Sequence, residues 1–558
     1  MINVLFSFVG ILFWFVTLTG RKLAVSGNII WTTSYTLGTL FLSLVLGVLT
    51  GELLRRFFCL LSKRQSTKKL QEENQLYKTM RKWKNWQLWL LSGGLILLSW
   101  FPCYLAYYPG ICAYDTPVQL EQIMSGAYNT HHPIAHTLLI EGALNLGKNF
   151  FGDINTGIAI FVFIQMTVLA CTMAGGVVFL FRKQVSERRL LLLLLLCMFY
   201  PFHKYMSISM TKDVFFTVFF LVQMLALQQC IDAGEKSPGR CDVIFFVCTV
   251  GMQLFRNNGR YALLLLVAVL TLAVILDKKG RKCWRRLTIN CFAALLVGTV
   301  VLKALSGVTH AVEGDKREML SVPIQQMARC MIYHGGVGVV AEDSNTMEEK
   351  DKALINEFLL GESYKLYDPR ISDPVKRHTN TYVVRYRTAE FAQTYLRLLC
   401  QYPGDFLNAV LALDAGYLYL GDESHARVNE NEEFQGLGYV QTRWDGMTED
   451  YGLYKDSKWT GLHEELEQWA DENGYLKIPV IKYLFVPGIL LWAYLLLLLY
   501  RLAEKNYKGC VVVVLALGYF ATLFLGPVVQ LRYVYPLMTA FPFLLWNSSR
   551  KTDCEMEW

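Results

Sequence analysis

Charged residues are scarce in this chain. They fill 18% of its 558 positions, against 53% hydrophobic and 14% aromatic residues, and the mean hydropathy is +0.30. That balance excludes a disordered chain and indicates a protein that crosses a membrane several times. No Cys-x-x-Cys pair occurs among the 14 cysteines, and Cys171, Cys197, Cys248 and Cys291 lie in apolar runs. Neither a zinc site nor a disulfide framework is therefore indicated. The first apolar run, Ile2–Thr19, lacks a basic leader and a small-residue cleavage site, so it reads as a retained helix rather than a signal peptide. Internal repeats and low-complexity stretches are absent, and strand signals are poor apart from Thr381–Tyr386. The net charge of +8 is not gathered into a nucleic-acid-binding patch. From His310 to Lys477 there are 17 Lys and Arg against 29 Asp and Glu, a net of −12, which leaves the remainder near +20 in short loops between apolar runs.

About twelve runs approach the roughly 20 residues that cross a bilayer, near 2–19, 28–50, 87–108, 156–180, 190–208, 214–230, 243–256, 261–276, 287–309, 478–500, 509–526 and 530–547. The expected fold is an all-α polytopic membrane protein. Two spans and a basic loop form residues 1–86, and a transmembrane core with a polar loop at 109–155 forms residues 87–309. A mainly helical outer domain over 310–477 separates the ninth span from the tenth, and the C-terminal spans and tail fill 478–558. Residues 52–86 hold ten Lys and Arg, and the 181–189 and 277–286 loops are also basic. If the spans alternate, all three loops share one side, which the positive-inside tendency makes cytoplasmic, together with both termini. Asp115, Lys212-Asp213, Arg256-Asn257, residues 310–477 and Gln530–Tyr535 then emerge together on the extracytoplasmic side of a cell membrane.

The stretch from Tyr108 to Glu141 concentrates unusual residues: Asp115, Gln119, His131, His132, His136 and several prolines and glycines follow an apolar run of spanning length. Polar backbone of this kind at a membrane face has to be solvated or packed by other loops. Asp115 is placed to take a proton from a hydroxyl, bind a cation, or cap the helix beginning Thr116-Pro117. Pro133–Phe150 reads as an interfacial helix, with Glu141 off the face of His136. The three histidines are favoured as structural or phosphate-contacting groups over metal ligands, because no spacing compels a metal site. Arg256 and Arg532 can bind phosphate or snorkel from helix ends to head groups. Lys212 beside Asp213 is, taken alone, most simply a local ion pair or cap. Within 310–477, helices are expected after Pro323, after a Thr346-x-x-Glu349 capping box leading into Ala353–Leu360, and over Thr388–Leu399, Phe406–Leu418 and Gly461–Asn473. Tyr364, Tyr367, Trp444 and Trp459 there can stack on sugars or serve as core.

Asp115 followed after seventeen residues by His132-Pro133-Ile134-Ala135 resembles the first large outer loop of GT-C-fold glycosyltransferases, in the mannosyltransferase and aminoarabinose-transferase branch. Lys212-Asp213 heading an apolar helix resembles that branch's second outer acid. Gly251 to Arg256, Asn257 and Gly259 resembles its helix, basic residue, glycine and next helix, and Arg532-Tyr533-x-x-Pro536 resembles the opening of a late helix. The whole chain is also similar to an uncharacterised family of Gram-positive polytopic membrane proteins, associated with this loop and with Val322–Arg329. The resemblance implies transfer of a sugar from a polyprenyl-phosphate donor to an acceptor at the outer face of the membrane, with inversion, in cell-surface glycan synthesis. It makes Asp115 the general base and Arg256, Arg532 and Lys212 the donor-phosphate ligands, with Asp213, Asn257, Gln119, Tyr533 and the histidines around them. The acid here is Tyr-Asp-Thr rather than a paired acidic motif, which leaves a divalent cation, Mg or Mn, open as a cofactor. The alternatives are a transporter or flippase of lipid-linked saccharides, which would be expected to show internal repeats, and a surface-glycan polymerase or ligase. The partners implied are the lipid donor, an unidentified acceptor and the bilayer, with no nucleic acid.

Overall fold

A computed structural model describes residues 2–26, 28–67, 75–112, 115–236, 239–421, 451–472 and 474–547. Among them the chain is helical, with isolated β-bridges and no strand. Seven helices are long and apolar enough to cross a membrane. They are α1 (Ile2–Ser26), α2 (Thr33–Thr67), α3 (Asn85–Ala106), α6 (Ile154–Arg182), α9 (Lys212–Ala233), α11 (Asn257–Leu276) and α12 (Arg281–Val308). Between α3 and α6 lie α4 (Thr116–Ser125) and α5 (Ile134–Leu146); between α6 and α9 lie α7 (Glu187–Phe199) and α8 (Pro201–Ile208); α10 spans Gly239–Phe255.

The expected run 190–208 is the bent pair α7 and α8, which meet at 48° and together have spanning length. Pro201 causes the bend: it lacks an N–H and keeps Tyr200 extended, at φ −66° and ψ 117°. Four further expected spans are helices of 16 or 17 residues, namely α10 and the C-terminal helices Gly488–Ala503, Tyr507–Leu523 and Leu531–Trp546. Length and composition therefore support seven or eight crossings rather than twelve. Arg256, Pro487, Pro527 and Gln530 cut the remaining runs short of the roughly 20 residues a bilayer needs.

The main core surrounds α9, which is apolar on every side and carries Val214, Phe216, Phe220, Leu221 and Met224 fully buried. α1 and α2 pack so closely that a Cβ on Gly10 would lie 2.2 Å from the carbonyl oxygen of Gly47, so glycine is required at the seam.

The segment between α12 and the C-terminal helices has its own core, built from Ile324, Met327, Ile355, Phe358, Leu398 and Phe406. Its helices are α13 (Ser321–His334), α14 (Glu349–Phe358), α15 (Thr381–Tyr386), α16 (Thr388–Gln401), α17 (Pro403–Leu413) and α18 (Thr460–Asp471). The C-terminal three follow as α19 (Gly488–Ala503), α20 (Tyr507–Leu523) and α21 (Leu531–Trp546). Thr381–Tyr386, expected as a strand, is helical: six residues with no partner strand close a turn whose first N–H groups are met by the Asn380 side chain, which accepts from Tyr382 N at 3.1 Å. The expected capping box at Thr346 does not form. Glu348 precedes α14, and the Thr346 hydroxyl lies 3.2 Å from the Tyr402 hydroxyl instead. The expected helix over Phe406–Leu418 breaks at Asp414, with a further turn of helix over Ala415–Leu418. Tyr364 is buried in this core and Trp459 is half exposed; Trp444 lies outside the described residues.

Arg329 anchors the segment to the N-terminal hairpin. It is fully buried, donates to Asp405 Oδ1 at 3.0 Å and bonds Asn28 in the α1–α2 loop. Two bridges then carry the segment to either side of one polar cluster. Thr130 N donates to Val312 O and Val312 N to Tyr128 O, each at 2.9 Å, while Ser372 N donates to Pro527 O at 2.9 Å beside the Ile371–Val528 bridge.

Candidate functional site

The cluster is assembled by a backbone clamp. After α3 the chain turns at Gly110, whose φ of +149° suits glycine and where a Cβ would lie 2.5 Å from Val162 Cγ2. Ile111 N then donates to Ile208 O, and Met210 N to Ile111 O, each at 2.9 Å. The Thr116 hydroxyl also bonds Met210 O. The start of α4 is thereby fixed beside the start of α9, which sets Asp115 against Lys212. Four helices begin in this place: Asp115, Thr211, Arg256 and Gln530 are the N-caps of α4, α9, α11 and α21. Helix N-termini add partial positive charge.

Asp115 receives Lys212 Nζ at 2.7 Å on Oδ2 and the fork of Arg532, Nη1 at 3.1 Å on Oδ2 and Nη2 at 3.4 Å on Oδ1. Arg532 Nη1 also stands 3.6 Å from Asp213 Oδ2, while Asp213 Oδ1 pairs with Arg256. Gln530 Oε1 accepts from Arg532 Nε at 2.7 Å, and the Thr211 hydroxyl donates to Asp213 at 3.1 Å. The Arg256 guanidinium faces the Tyr533 ring at 4.7 Å and the Tyr519 ring at 5.7 Å, an aromatic setting suited to a buried cation. Residues separated by more than 400 positions thus share one network.

Exposure is graded across it. The Asp115 and Lys212 side chains keep 17% and 15% of their surface, Arg532 keeps 5%, and Asp213 keeps none. The open side of the cluster is therefore that of Asp115 and Lys212. Three cations face two carboxylates, so one positive charge is left uncompensated among these residues.

Asp115 is the N-cap of α4, but its side chain makes no capping bond; it is turned to the cations. Burial pushes its carboxyl up, and Arg532 and Lys212 outweigh burial to hold it well below the usual carboxylate range. A carboxylate so held is a weak proton acceptor, whereas a general base works best with a pKa near the operating pH. Lys212 and Asp213 do not pair with each other: the first turns to Asp115 and the second to the arginines. Arg256 and Arg532 are held in ion pairs.

His132 Nδ1 lies 3.4 Å from Lys212 Nζ and 3.9 Å from Asp115 Oδ2, and burial pushes its pKa down to about 3. His131 stacks edge-to-face on it at 4.4 Å and is exposed. His136 sits one layer below. Its Nδ1–H donates to Gln119 Oε1 at 3.0 Å, Gln119 Nε2 donates to Thr137 at 2.8 Å, and Phe161, Phe215 and Phe255 surround the ring. Burial pushes His136 down to about 3 as well. Glu141 turns to the Tyr128 hydroxyl, whose pKa is pushed up to about 12 by burial and by that carboxylate. Asn257 opens α11 with its side chain exposed, and no hydrogen bond joins it to the cluster.

The donor set does not fit a divalent cation. Each site carboxylate is engaged by cationic nitrogens, the nearest imidazole nitrogen faces an ammonium, and the described residues hold no group of three ligands placed for a metal. Sequence reasoning missed Thr211 and Tyr519 and placed Gln530 on the shared face without giving it a site role, because these residue types carry no signal on their own. It also missed Glu318, Lys376 and Asp373 of the interposed segment. Lys376 Nζ lies 2.7 Å from Glu318 and 2.6 Å from Asp373, next to His131.

Fold and site together define a helical protein with apolar helices long enough to cross a membrane and a buried, cation-rich polar cluster at the heads of several helices. The chain matches a family of unknown function (DUF6020) over residues 124–557, and it belongs to that family. The matched stretch begins after Asp115 and Gln119 and includes Lys212, Asp213, Arg256, Arg532 and the three histidines. No curated protein and no solved structure matches the chain.

Proposed function

We propose that this protein is a membrane glycosyltransferase that moves a sugar from a polyprenyl-monophosphate donor to an acceptor hydroxyl at the outer face of the cell membrane. The observation that carries the reading is the charge balance of the cluster: Lys212, Arg256 and Arg532 against Asp115 and Asp213, largely buried at four helix N-termini. A single excess positive charge matches the single negative charge of a phosphodiester. Arginine and ammonium groups at helix heads are suited to stabilise the second charge that develops on the leaving phosphate. The outer placement is supported by α3 and α11, whose ends away from the cluster run into the basic stretches around Arg81-Lys82 and Lys278–Arg286.

In this reading the phosphate enters on the exposed side, between Lys212 and Arg532. Arg256 is turned inward and holds Asp213, which with Asp115 keeps the cations in register. Transfer proceeds by displacement at the anomeric carbon with inversion, the phosphate leaving onto Lys212 and Arg532. The test is a detergent-solubilised transfer assay with polyprenyl-monophosphate sugars. The expected outcome is release of polyprenyl phosphate with glycosylation of an acceptor, lost in Arg532→Gln. Movement of intact lipid-linked saccharide across proteoliposomes without cleavage would point to a transporter instead.

A further inference from the structure

We infer that His131 is the general base of this site, receiving the proton of the acceptor hydroxyl as the new glycosidic bond forms; the inference rests on the transferase reading. Every other titratable group of the cluster is committed. Asp115 and Asp213 are held by cations, His132 is buried with Nδ1 against Lys212, and His136 is enclosed by phenylalanines. His131 alone among the site histidines has an exposed side chain, and among the described residues neither of its ring nitrogens is hydrogen-bonded. Its ring is adjacent to the cluster through the 4.4 Å stack on His132.

Its backbone is nonetheless fixed. His131 N donates to Asn129 Oδ1 at 3.1 Å, Gly314 N donates to the Thr130 hydroxyl at 2.9 Å, and Gly314 comes so close that a Cβ there would lie 3.1 Å from His131 Cα. The loop is thus stapled to the interposed segment while the imidazole stays free at the open side of the site. Five charged or titratable groups surround it: Asp115 and His132 near its own loop, Lys212 at the head of α9, and Glu318 and Lys376 from the interposed segment. Although the ring reaches solvent, the protein around it partly desolvates it and lowers its pKa below the ordinary 6.5; Glu318 opposes that and Lys212 adds to it, so the ring is neutral and able to accept a proton at neutral pH. Glu318 then stands where it favours the imidazolium once formed.

The step balances. The acceptor oxygen bonds to the anomeric carbon, the bond from that carbon to the donor phosphate oxygen breaks, and its electron pair leaves with the phosphate. The hydroxyl proton passes to the free ring nitrogen of His131 and from there to water.

The experiment measures polyprenyl-phosphate release by the full-length protein in detergent, from a panel of polyprenyl-monophosphate hexoses and pentoses, across pH. Wild type is expected to lose kcat/KM on the acid side, below pH 6.5. His131→Gln is expected to lose roughly 10²–10⁴-fold in kcat with little change in donor KM, and to lose that acid limb. His131→Ala is expected to regain turnover when imidazole is added. Wild-type turnover and an unchanged acid limb in His131→Gln would overturn the base assignment while leaving the transferase reading intact. So would a His131→Ala defect that imidazole leaves untouched. Absence of release by wild type from every donor would overturn the transferase reading, and the base with it.

Discussion

Arg256 and Asp213 form an ion pair that solvent does not reach: the carboxylate is fully buried and the guanidinium nearly so, enclosed by the rings of Phe216, Tyr519 and Tyr533. A buried pair of this kind adds little net stability, because desolvation offsets attraction, but breaking it leaves a lone charge in a low-dielectric place. Its value lies in position. Asp213 heads α9, Arg256 precedes α11, and Arg532 next to Asp213 heads α21, so the pair ties three helix heads into one charged cluster.

Removing one partner should therefore cost far more than removing both. Asp213→Asn or Arg256→Gln alone is expected to destabilise the protein by about 3–5 kcal/mol. The double variant is expected to lose clearly less than the sum of the two, because neither charge is left alone. Denaturant unfolding in mixed micelles gives the four midpoints. Additive losses would show that the two side chains do not act as a pair.

Two groups give the fold successive steps of one acid-side pH dependence. Asp115 has a folded pKa below its ordinary 3.8, so its contribution is complete above that value and is lost as pH falls through the folded pKa. His132 is held neutral, with a folded pKa of about 3 against 6.5 when unfolded. As pH falls from 6.5 toward 3 the unfolded chain takes up the proton first, and stability declines by at most roughly 1.4 kcal/mol per pH unit for this one group. Unfolding midpoints at pH 7 and pH 4.5 should thus differ, and His132→Asn should narrow the difference. Asp115→Asn should lower the midpoints at pH 7 and pH 4.5 together and remove the further decline below pH 3.8.

The fork of Arg532 is expected to matter more than its charge. Its two terminal nitrogens reach both oxygens of Asp115 while Nε is held by Gln530, a geometry that an ammonium cannot reproduce. Arg532→Lys should raise the Kd for polyprenyl phosphate roughly tenfold or more, one bidentate charge-assisted contact being lost, with the unfolding midpoint little moved. Equal affinity in the two proteins, measured by titration in detergent, would remove Arg532 from the phosphate site.

Much of the convergence is readable from one dimension. Apolar runs and basic loops place Asp115, Lys212, Arg256 and Arg532 at corresponding helix ends, and the structure brings them into one network. The pairing within that network is not readable. Lys212 and Asp213 are neighbours in sequence, which suggests a local pair, yet consecutive helical residues point about 100° apart and do not face each other. Each finds its partner on another element, Asp115 for one and Arg256 for the other. Thr381–Tyr386 misleads for a related reason: its β-branched and aromatic residues suit a strand, but a strand needs a neighbour and none is supplied. The freedom of His131 beside the committed His132 is likewise a product of the loop's attachment to residues 312–314, nearly two hundred positions away.

The clamp beneath the cluster offers the sharpest test of the architecture. Gly110 touches none of the charged residues, yet its φ of +149° and its approach to Val162 decide where Ile111 meets Ile208 and Met210, and so how Asp115 faces Lys212. Gly110→Ala puts a methyl group 2.5 Å from Val162 Cγ2 in a backbone region that side chains rarely occupy. The backbone strain alone is expected to cost about 1–3 kcal/mol. A shift of the two loops by roughly 1 Å should lower donor turnover by about 10²-fold, since the reacting groups lose their alignment. Adding Val162→Ala relieves the contact but not the dihedral strain, so the double variant should recover part of the turnover and only part of the midpoint. If Gly110→Ala matches wild type in both, the clamp is dispensable and the site is held together by its ion pairs alone.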